Sequence, residues 1–391
     1  MRQLRFWTPP EAGSDTLRLL RARLKGFERS RKTTVEVRVL PLSALWARFV
    51  DGLKGGPLPD AAAIPGHWTA SLDRLGLLRG LSSAAPAFDL STAYAPLRPH
   101  ALSPLSGELV SVPWWMEVGV LQARSDLLEE CGVDPGSLGD WEGLSAACKR
   151  LSRLRRRGIA PLTGADPMRP GTLEDLAPRI WSRGGEFLSP DGSRALFARE
   201  EAGRAFLDFF SLVEEGSVPI SGPAGLPPGD ISSGSCALQL SGRVSGSSKD
   251  GGAGAAALAP PSSEREAPLL SARHLAVFDG ELFPESCALI HFLAGSARLF
   301  ARDIGALPAR EDALAEALEG MPEAAGTLRS CLSRARTLPD HPLFPPLGRI
   351  LERASRRVVE SIWRRTFTRE LLREETVHAA AEADHLLSLY A

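Results

Sequence analysis

At 391 residues with a formal net charge of −1, the chain is too long for one ordinary hydrophobic core. Its charge is too balanced for the whole molecule to be steered toward nucleic acid or anionic lipid. Hydrophobic content of 43% and charged content of 24% are those of a soluble globular protein, and no apolar run approaches the roughly 20 residues that span a bilayer.

The first segment reads as strand–helix–strand–helix. An apolar strand ends in Leu4-Arg5-Phe6-Trp7-Thr8, and Thr16–Phe27 carries Leu17, Leu20, Leu24 and Phe27 at helical spacing. Thr34–Leu40 alternates as a half-buried strand, Ser43–Leu53 is helical, and Pro59-Asp60 opens a third strand-like turn that leads to Trp68. A loop rich in Pro and Ala covers Ala84–Pro104, and Gly107–Pro113 is a short strand running into Trp114-Trp115. Ser125–Cys131 begins a helix with Asp126 in its favourable first turn and Gly132 as its terminator. Helices are predicted over Trp141–Arg157, Leu173–Ser182 (ending at Gly184-Gly185), Glu200–Glu215, Pro284–Arg302, Leu347–Ile362 and Thr368–Leu389. The arginines at the end of Trp141–Arg157 read as a solvated face that complements a helix C-terminus. The Gly- and Ser-rich stretch Gly242–Gly254 is a loop; Lys249 is followed by Asp250, so it lacks the Gly-Lys-Ser/Thr of a phosphate loop.

The five cysteines (Cys131, Cys148, Cys236, Cys287, Cys331) are far apart and odd in number, with no metal spacing and no disulfide framework; they are expected as buried small apolar residues. Met1 is followed at once by strand-like residues rather than by a basic region and an apolar one. Either an export signal has been removed or the protein stays inside the cell.

Several marks then recur in a set order. They are Phe6-Trp7-Thr8, Gly55/Gly56 with Pro59-Asp60, and Gly107-Glu108-Leu109-Val110-Ser111-Val112-Pro113. Asp126-Leu127-Leu128-Glu129-Glu130-Cys131-Gly132-Val133 with Trp141-Glu142 follows, then Trp181-Ser182-Arg183-Gly184-Gly185-Glu186-Phe187. Ser233-Gly234-Ser235-Cys236-Ala237-Leu238 and Gly305-Ala306-Leu307-Pro308-Ala309-Arg310 complete the series. In this order and spacing, over nearly the whole chain, it resembles extracellular solute-binding protein family 1, the sugar-binding proteins of ABC transporters that include maltose-binding protein. The resemblance implies an α/β, two-lobed periplasmic-binding-protein-like fold of type II with a ligand cleft between the lobes. It implies an N-terminal lobe over 1–112 and 271–316 and a C-terminal lobe over 113–270 and 317–391. It also implies a monomer outside the cytoplasm, periplasmic or extracellular, with or without a lipid anchor, that closes on its solute by a hinge motion and docks on an ABC permease.

A sugar needs carboxylates, amides or arginines for its hydroxyls and flat aromatic faces for its rings. Trp7, Thr8 and Glu11 lie just past the first strand, where ligands of open α/β sheets sit. His67 and Trp68 follow the third strand, where the family places charged and aromatic contacts. Trp114, Trp115 and Glu117 follow the crossover strand, and one of the two tryptophans is expected to face the ligand while its neighbour packs. Glu117 aligns with the family's carbohydrate-binding glutamate when counted back from Asp126. Gly242 and Arg243 stand where the family has a ligand-facing loop, and Phe344 lies in another such segment. Trp7, Trp68, Trp114 and Glu117 are expected to face one cleft. The chain departs from the family at Gln122-Ala123-Arg124, Arg243-Val244 and Gly348-Arg349, where aromatics are common. These losses point away from a maltose-like ligand, and Arg243 suits an anionic or polyol solute.

Three functions compete. The resemblance favours a non-catalytic protein delivering a sugar, oligosaccharide or polyol derivative to an ABC importer, with no cofactor, no metal and no nucleic acid. The second is a degenerate homologue acting as a sensor or protein-interaction module. The third is an enzyme, but no nucleophile elbow, His-Glu-x-x-His, complete phosphate loop or paired metal-spaced cysteines occur.

Overall fold

The computed structural model describes residues 2–11, 15–164, 172–220, 231–241 and 255–390. Along the chain come β1 (Arg2–Thr8), α1 (Thr16–Arg31), β2 (Thr33–Val39), α2 (Leu42–Gly52), β3 (Ala61–Pro65), α3 (Thr69–Arg74) and β4 (Ser111–Val118). The middle holds β5 (Val120–Arg124), α4 (Ser125–Cys131), α5 (Trp141–Leu151), β6 (Ala160–Thr163), α6 (Leu173–Ser182), α7 (Glu200–Glu214), β7 (Cys236–Ser241), β8 (Ala255–Leu258) and β9 (Leu270–Val277). The last part holds α8 (Phe283–Gly295), α9 (Ala297–Asp303), β10 (Leu307–Pro308), α10 (Glu311–Glu319), α11 (Pro322–Arg334), α12 (Phe344–Trp363) and α13 (Arg369–Ser388). Two compact units emerge. Unit 1 is Met1–Glu117, Ser271–Gly320 and Asp340–Pro345; unit 2 is Val118–Leu270, Met321–Pro339 and Pro346–Ala391.

Unit 1 is built on a six-stranded sheet in the order β10-β4-β9-β3-β1-β2. β1 runs parallel to β2 and β3, while β9 returns antiparallel beside β3, pairing Ile64 with His274 and Pro65 with Arg273. Successive side chains of a strand point to opposite faces, and both faces here are covered. Leu4 and Phe6 of β1 join Leu20, Leu24 and Phe27 of α1 and Leu289, Ile290 and Leu293 of α8. Trp7 joins Leu45, Trp46 and Phe49 of α2 and Leu72 of α3 on the other side. A sheet buried on both faces shows no polar alternation, and β3 (Ala-Ala-Ala-Ile-Pro) is buried at every position.

Unit 2 has a four-stranded sheet in the order β6-β7-β5-β8, with β6 parallel to β7 and β5 antiparallel to both β7 and β8. α6 occupies the predicted span; a capping box between Thr172 and Asp175 starts it, and Gly184, at φ +76°, follows its end. α4 likewise stops at Gly132, whose φ of 62° is open to glycine at little cost.

Three predicted elements differ. The strand expected over Gly107–Pro113 lies at Ser111–Val118, so Trp114, Trp115 and Glu117 are inside it rather than beyond it. Trp141–Arg157 is an α-helix only to Leu151 and continues as a 3-10 turn over Ser152–Arg157. Pro284–Arg302 is two helices, α8 and α9, broken at Ser296 after Gly295. All five cysteines are buried thiols, and burial pushes the Cys148 thiol up to about 12. No helix among the described residues is long and apolar enough to cross a membrane, and no group of three or more His, Cys, Asp or Glu among them could hold a metal ion.

Candidate functional site

A set of buried polar side chains in unit 1 gathers where β3 ends and β9 begins its return. β3 stops at Pro65, and Gly66–Trp68 makes one 3-10 turn before α3. Gly66 is required by close approach, since a Cβ there would lie 2.9 Å from Nε2 of His274. His274 sits opposite Ile64 with no exposed surface, its Nδ1 2.9 Å from the Ser111 hydroxyl of β4. The same hydroxyl donates to the carbonyl of His100 (3.3 Å) and lies 3.4 Å from the Thr69 hydroxyl. His100 is buried, with Nδ1 3.8 Å from Oδ1 of Asp340. His67 meets the ring of Phe344 edge to face, with centroids 6.0 Å apart, and contacts Trp68 in the same way at 6.4 Å. The Ser71 hydroxyl donates to the Pro342 carbonyl and so ties the Asp340–Pro345 segment to α3.

A second half of the cluster adjoins this one. Glu11, reached by the chain just after β1, has a side chain only 1% exposed, and its Oε1 lies 3.6 Å from Nε of Arg273. The Glu11 backbone N–H donates to the Thr16 hydroxyl at 2.8 Å, which fixes the approach to α1. The Arg273 guanidinium lies 5.2 Å from the centre of the Trp115 ring, within cation–π range. Together these residues offer donors, acceptors and two aromatic rings within one unit.

The electrostatics keep the imidazoles neutral. Desolvation first, then the neighbouring charge of His100 and Arg273, brings His67 down to about 3. Burial alone brings His100 down to about 4. His274 falls well below its ordinary value through burial and then its proximity to His100 and His67. His341 is lowered by burial as well, whereas burial raises Asp340 to about 6. A neutral imidazole has one donor and one acceptor, the pairing a hydroxyl needs.

The sign of the pH dependence follows. Between the folded values and about 6.5, the unfolded chain binds protons at these histidines that the folded chain refuses, so stability rises with pH. Asp340 works the other way between about 4 and 6, because its folded carboxyl holds the proton. Four groups oppose one, so stability falls on acidification. The melting temperature should drop by several degrees from pH 7 to pH 5, and His100→Gln with His274→Gln should flatten the slope. A melting temperature independent of pH over that range would contradict the assignment.

The sequence-predicted residues divide. Glu11, His67, Trp115 and Phe344 fall within this cluster, with Trp68 beside it. Trp7, expected to face a ligand, is buried instead: it stacks on Phe49 at 6.1 Å in the core under α2, because a strand's end sets depth but not the direction of a side chain. Trp68 packs edge-on to Trp46 at 5.1 Å in the same core. Trp114 belongs to the other side of the sheet. It stacks on Phe300 at 4.5 Å and donates its indole N–H to the Leu293 carbonyl at 3.0 Å. Trp7 and Trp114 therefore do not share one face. Thr8 is buried, its hydroxyl turned to the Pro9 carbonyl. Glu117 is half-buried at the end of unit 1. Gly242 and Arg243 lie outside the described residues. His100, Arg273, His274 and Asp340 were missed: no motif marks them in the sequence, and it is the return of β9 beside β3 that brings Arg273 and His274 to the end of β3.

The fold has solved counterparts. An ABC transporter solute-binding protein from Thermotoga lettingae bound with α-D-tagatose superposes with a TM-score of 0.82 at 16% identity, covering 99% of this chain and 100% of that one. An ABC substrate-binding protein from Listeria monocytogenes in complex with cycloalternan gives 0.80 at 16% identity, covering 98% and 99%. A solute-binding protein from Agrobacterium vitis with bound D-mannitol gives 0.79 at 15% identity, covering 99% of each chain. This chain has the fold of such ABC solute-binding proteins. No protein-family model and no curated protein matches it.

Proposed function

We propose that this chain is a non-catalytic binding protein that captures a carbohydrate-like solute, a sugar, oligosaccharide or polyol, outside the cytoplasm and delivers it as a monomer to an ABC importer. The observation that carries the reading is the unit 1 cluster, in which neutral His67 and His100, the Glu11–Arg273 pair and the rings of Trp115 and Phe344 adjoin one another. Hydroxyls are recognised by such paired donors and acceptors, and sugar C–H faces by aromatic rings. Glu117 is proposed as a further contact from the end of β4. The solved proteins of this fold carry tagatose, cycloalternan and mannitol, which supports the solute class.

Purified protein should melt several degrees higher in the presence of one class among monosaccharides, oligosaccharides and polyols, since a ligand at 100 times its Kd adds about 2.7 kcal/mol to the native state. His67→Ala should remove the shift without lowering the melting temperature of the ligand-free protein by a comparable amount. Ligand-free, folded protein that shows no shift with any of the three classes would overturn the proposal in favour of a sensor or interaction module.

A further inference from the structure

α12 and α13 form a helical hairpin whose tip, Arg364–Thr368, carries an unusual surface. Trp363, the last residue of α12, is 58% exposed, whereas the other seven tryptophans are all 7% exposed or less. Ile362 and Phe367 beside it are half-buried. From Ser361 to Arg369 the chain has three arginines (Arg364, Arg365, Arg369) and no acid, with Glu360 and Glu370 at its edges. Further down the hairpin, arginines are paired across the two helices, Arg353 with Glu382 and Arg357 with Glu375. At the tip they are not: Arg364, Arg365 and Arg369 have no ion pair among the described residues. The turn itself is tightly held. The Arg365 N–H donates to the Ile362 carbonyl and the Thr366 N–H to the Ser361 carbonyl, with Arg365 at φ +60°, a position where glycine is the easier residue.

We propose that this tip is a docking surface for an anionic membrane. The turn presents one large, exposed indole among guanidiniums without ion pairs, and its cationic stretch is short for a nucleic acid. It matches the boundary of a bilayer, where indole rings settle at headgroup depth and guanidiniums bind phosphodiesters in pairs of hydrogen bonds. The near-neutral charge of the whole chain leaves this local patch to supply the attraction.

Trp363 also provides the readout, being the exposed indole of the eight. The full chain is mixed with vesicles of phosphatidylcholine alone, or of phosphatidylcholine and phosphatidylglycerol in equal parts, with and without brominated acyl chains. Co-sedimentation with the anionic vesicles alone is expected, weakened by salt, together with bromolipid quenching that disappears in Trp363→Phe when residual emission is compared. Arg364→Gln with Arg365→Gln should weaken binding ~10- to 30-fold, from the contribution of each cation at an anionic surface, with the melting temperature unchanged. Three results would overturn the proposal: no binding to anionic vesicles, equal binding by the double variant, or retention of the tip by an oligonucleotide or polyglutamate probe while vesicles are ignored.

Discussion

Replacing Arg273 by alanine should destabilise unit 1 by about 3–5 kcal/mol and abolish solute binding. The Glu11 side chain is almost fully enclosed, and the Arg273 guanidinium lies 3.6 Å from its Oε1. Breaking a buried pair from one side takes a cation from an enclosed carboxylate, which costs more than the pair contributes when intact. Removal also strips the cation from the Trp115 ring 5.2 Å away. A second change separates the two effects. In Arg273→Ala/Glu11→Gln the enclosed carboxylate charge is gone, so stability should recover by more than half while solute binding stays lost. Arg273→Lys should hold most of the stability but bind weakly, since an ammonium lacks the planar fork. Urea denaturation and calorimetric titration read both quantities. If the double variant were no more stable than Arg273→Ala, the Glu11–Arg273 pairing would not be the source of the loss.

The second large effect lies in unit 2. Arg179, inside α6, is 1% exposed, with its guanidinium 4.2 Å from the centre of the Trp141 ring and 4.8 Å from that of Phe209. One nitrogen, Nη1, donates to the Asp175 carbonyl, while Nε and Nη2 have no hydrogen-bond partner among the described residues. Burial brings its pKa down to about 10, with Asp175, Asp208 and Cys148 pulling the other way. Arg179→Ala should therefore cost about 3–5 kcal/mol, because it opens a cavity between two aromatic rings. Arg179→Met keeps the volume and removes the poorly satisfied charge, so it should stay within about 1 kcal/mol of the parent or exceed it. Equal losses in both variants would show that the cation–π contacts, and not volume, hold this core together.

Much of the architecture was legible because it rests on local chemistry. The span of α6 could be read from its apolar spacing and the glycines after it, and Gly132 marked its helix end through the left-handed conformation it adopts. β4 was displaced by four residues because Trp114, Trp115 and Met116 are all buried, so no polar alternation marks where the strand continues. The unit 1 cluster was legible in part. Glu11, His67, Trp115 and Phe344 could be chosen as residues beyond strand ends or in an aligned segment. The direction of Trp7 could not, since one strand position decides between two faces that are both covered by helices. Nor could His274 and Arg273, which have no motif of their own and reach the cluster through the register of β9 on β3.

That register has a consequence for biosynthesis. β9 sits between β3 and β4 in the sheet, yet it follows β3 by roughly two hundred residues of chain. At ~5–20 residues per second, a ribosome needs ~10–40 s to deliver it after β3 has emerged. For that interval the wholly apolar β3 has its β9 edge unpaired, a ready template for intermolecular strand addition. A ribosome stalled between β3 and β9 thus carries unit 1 with that edge exposed, a form a holding chaperone would protect.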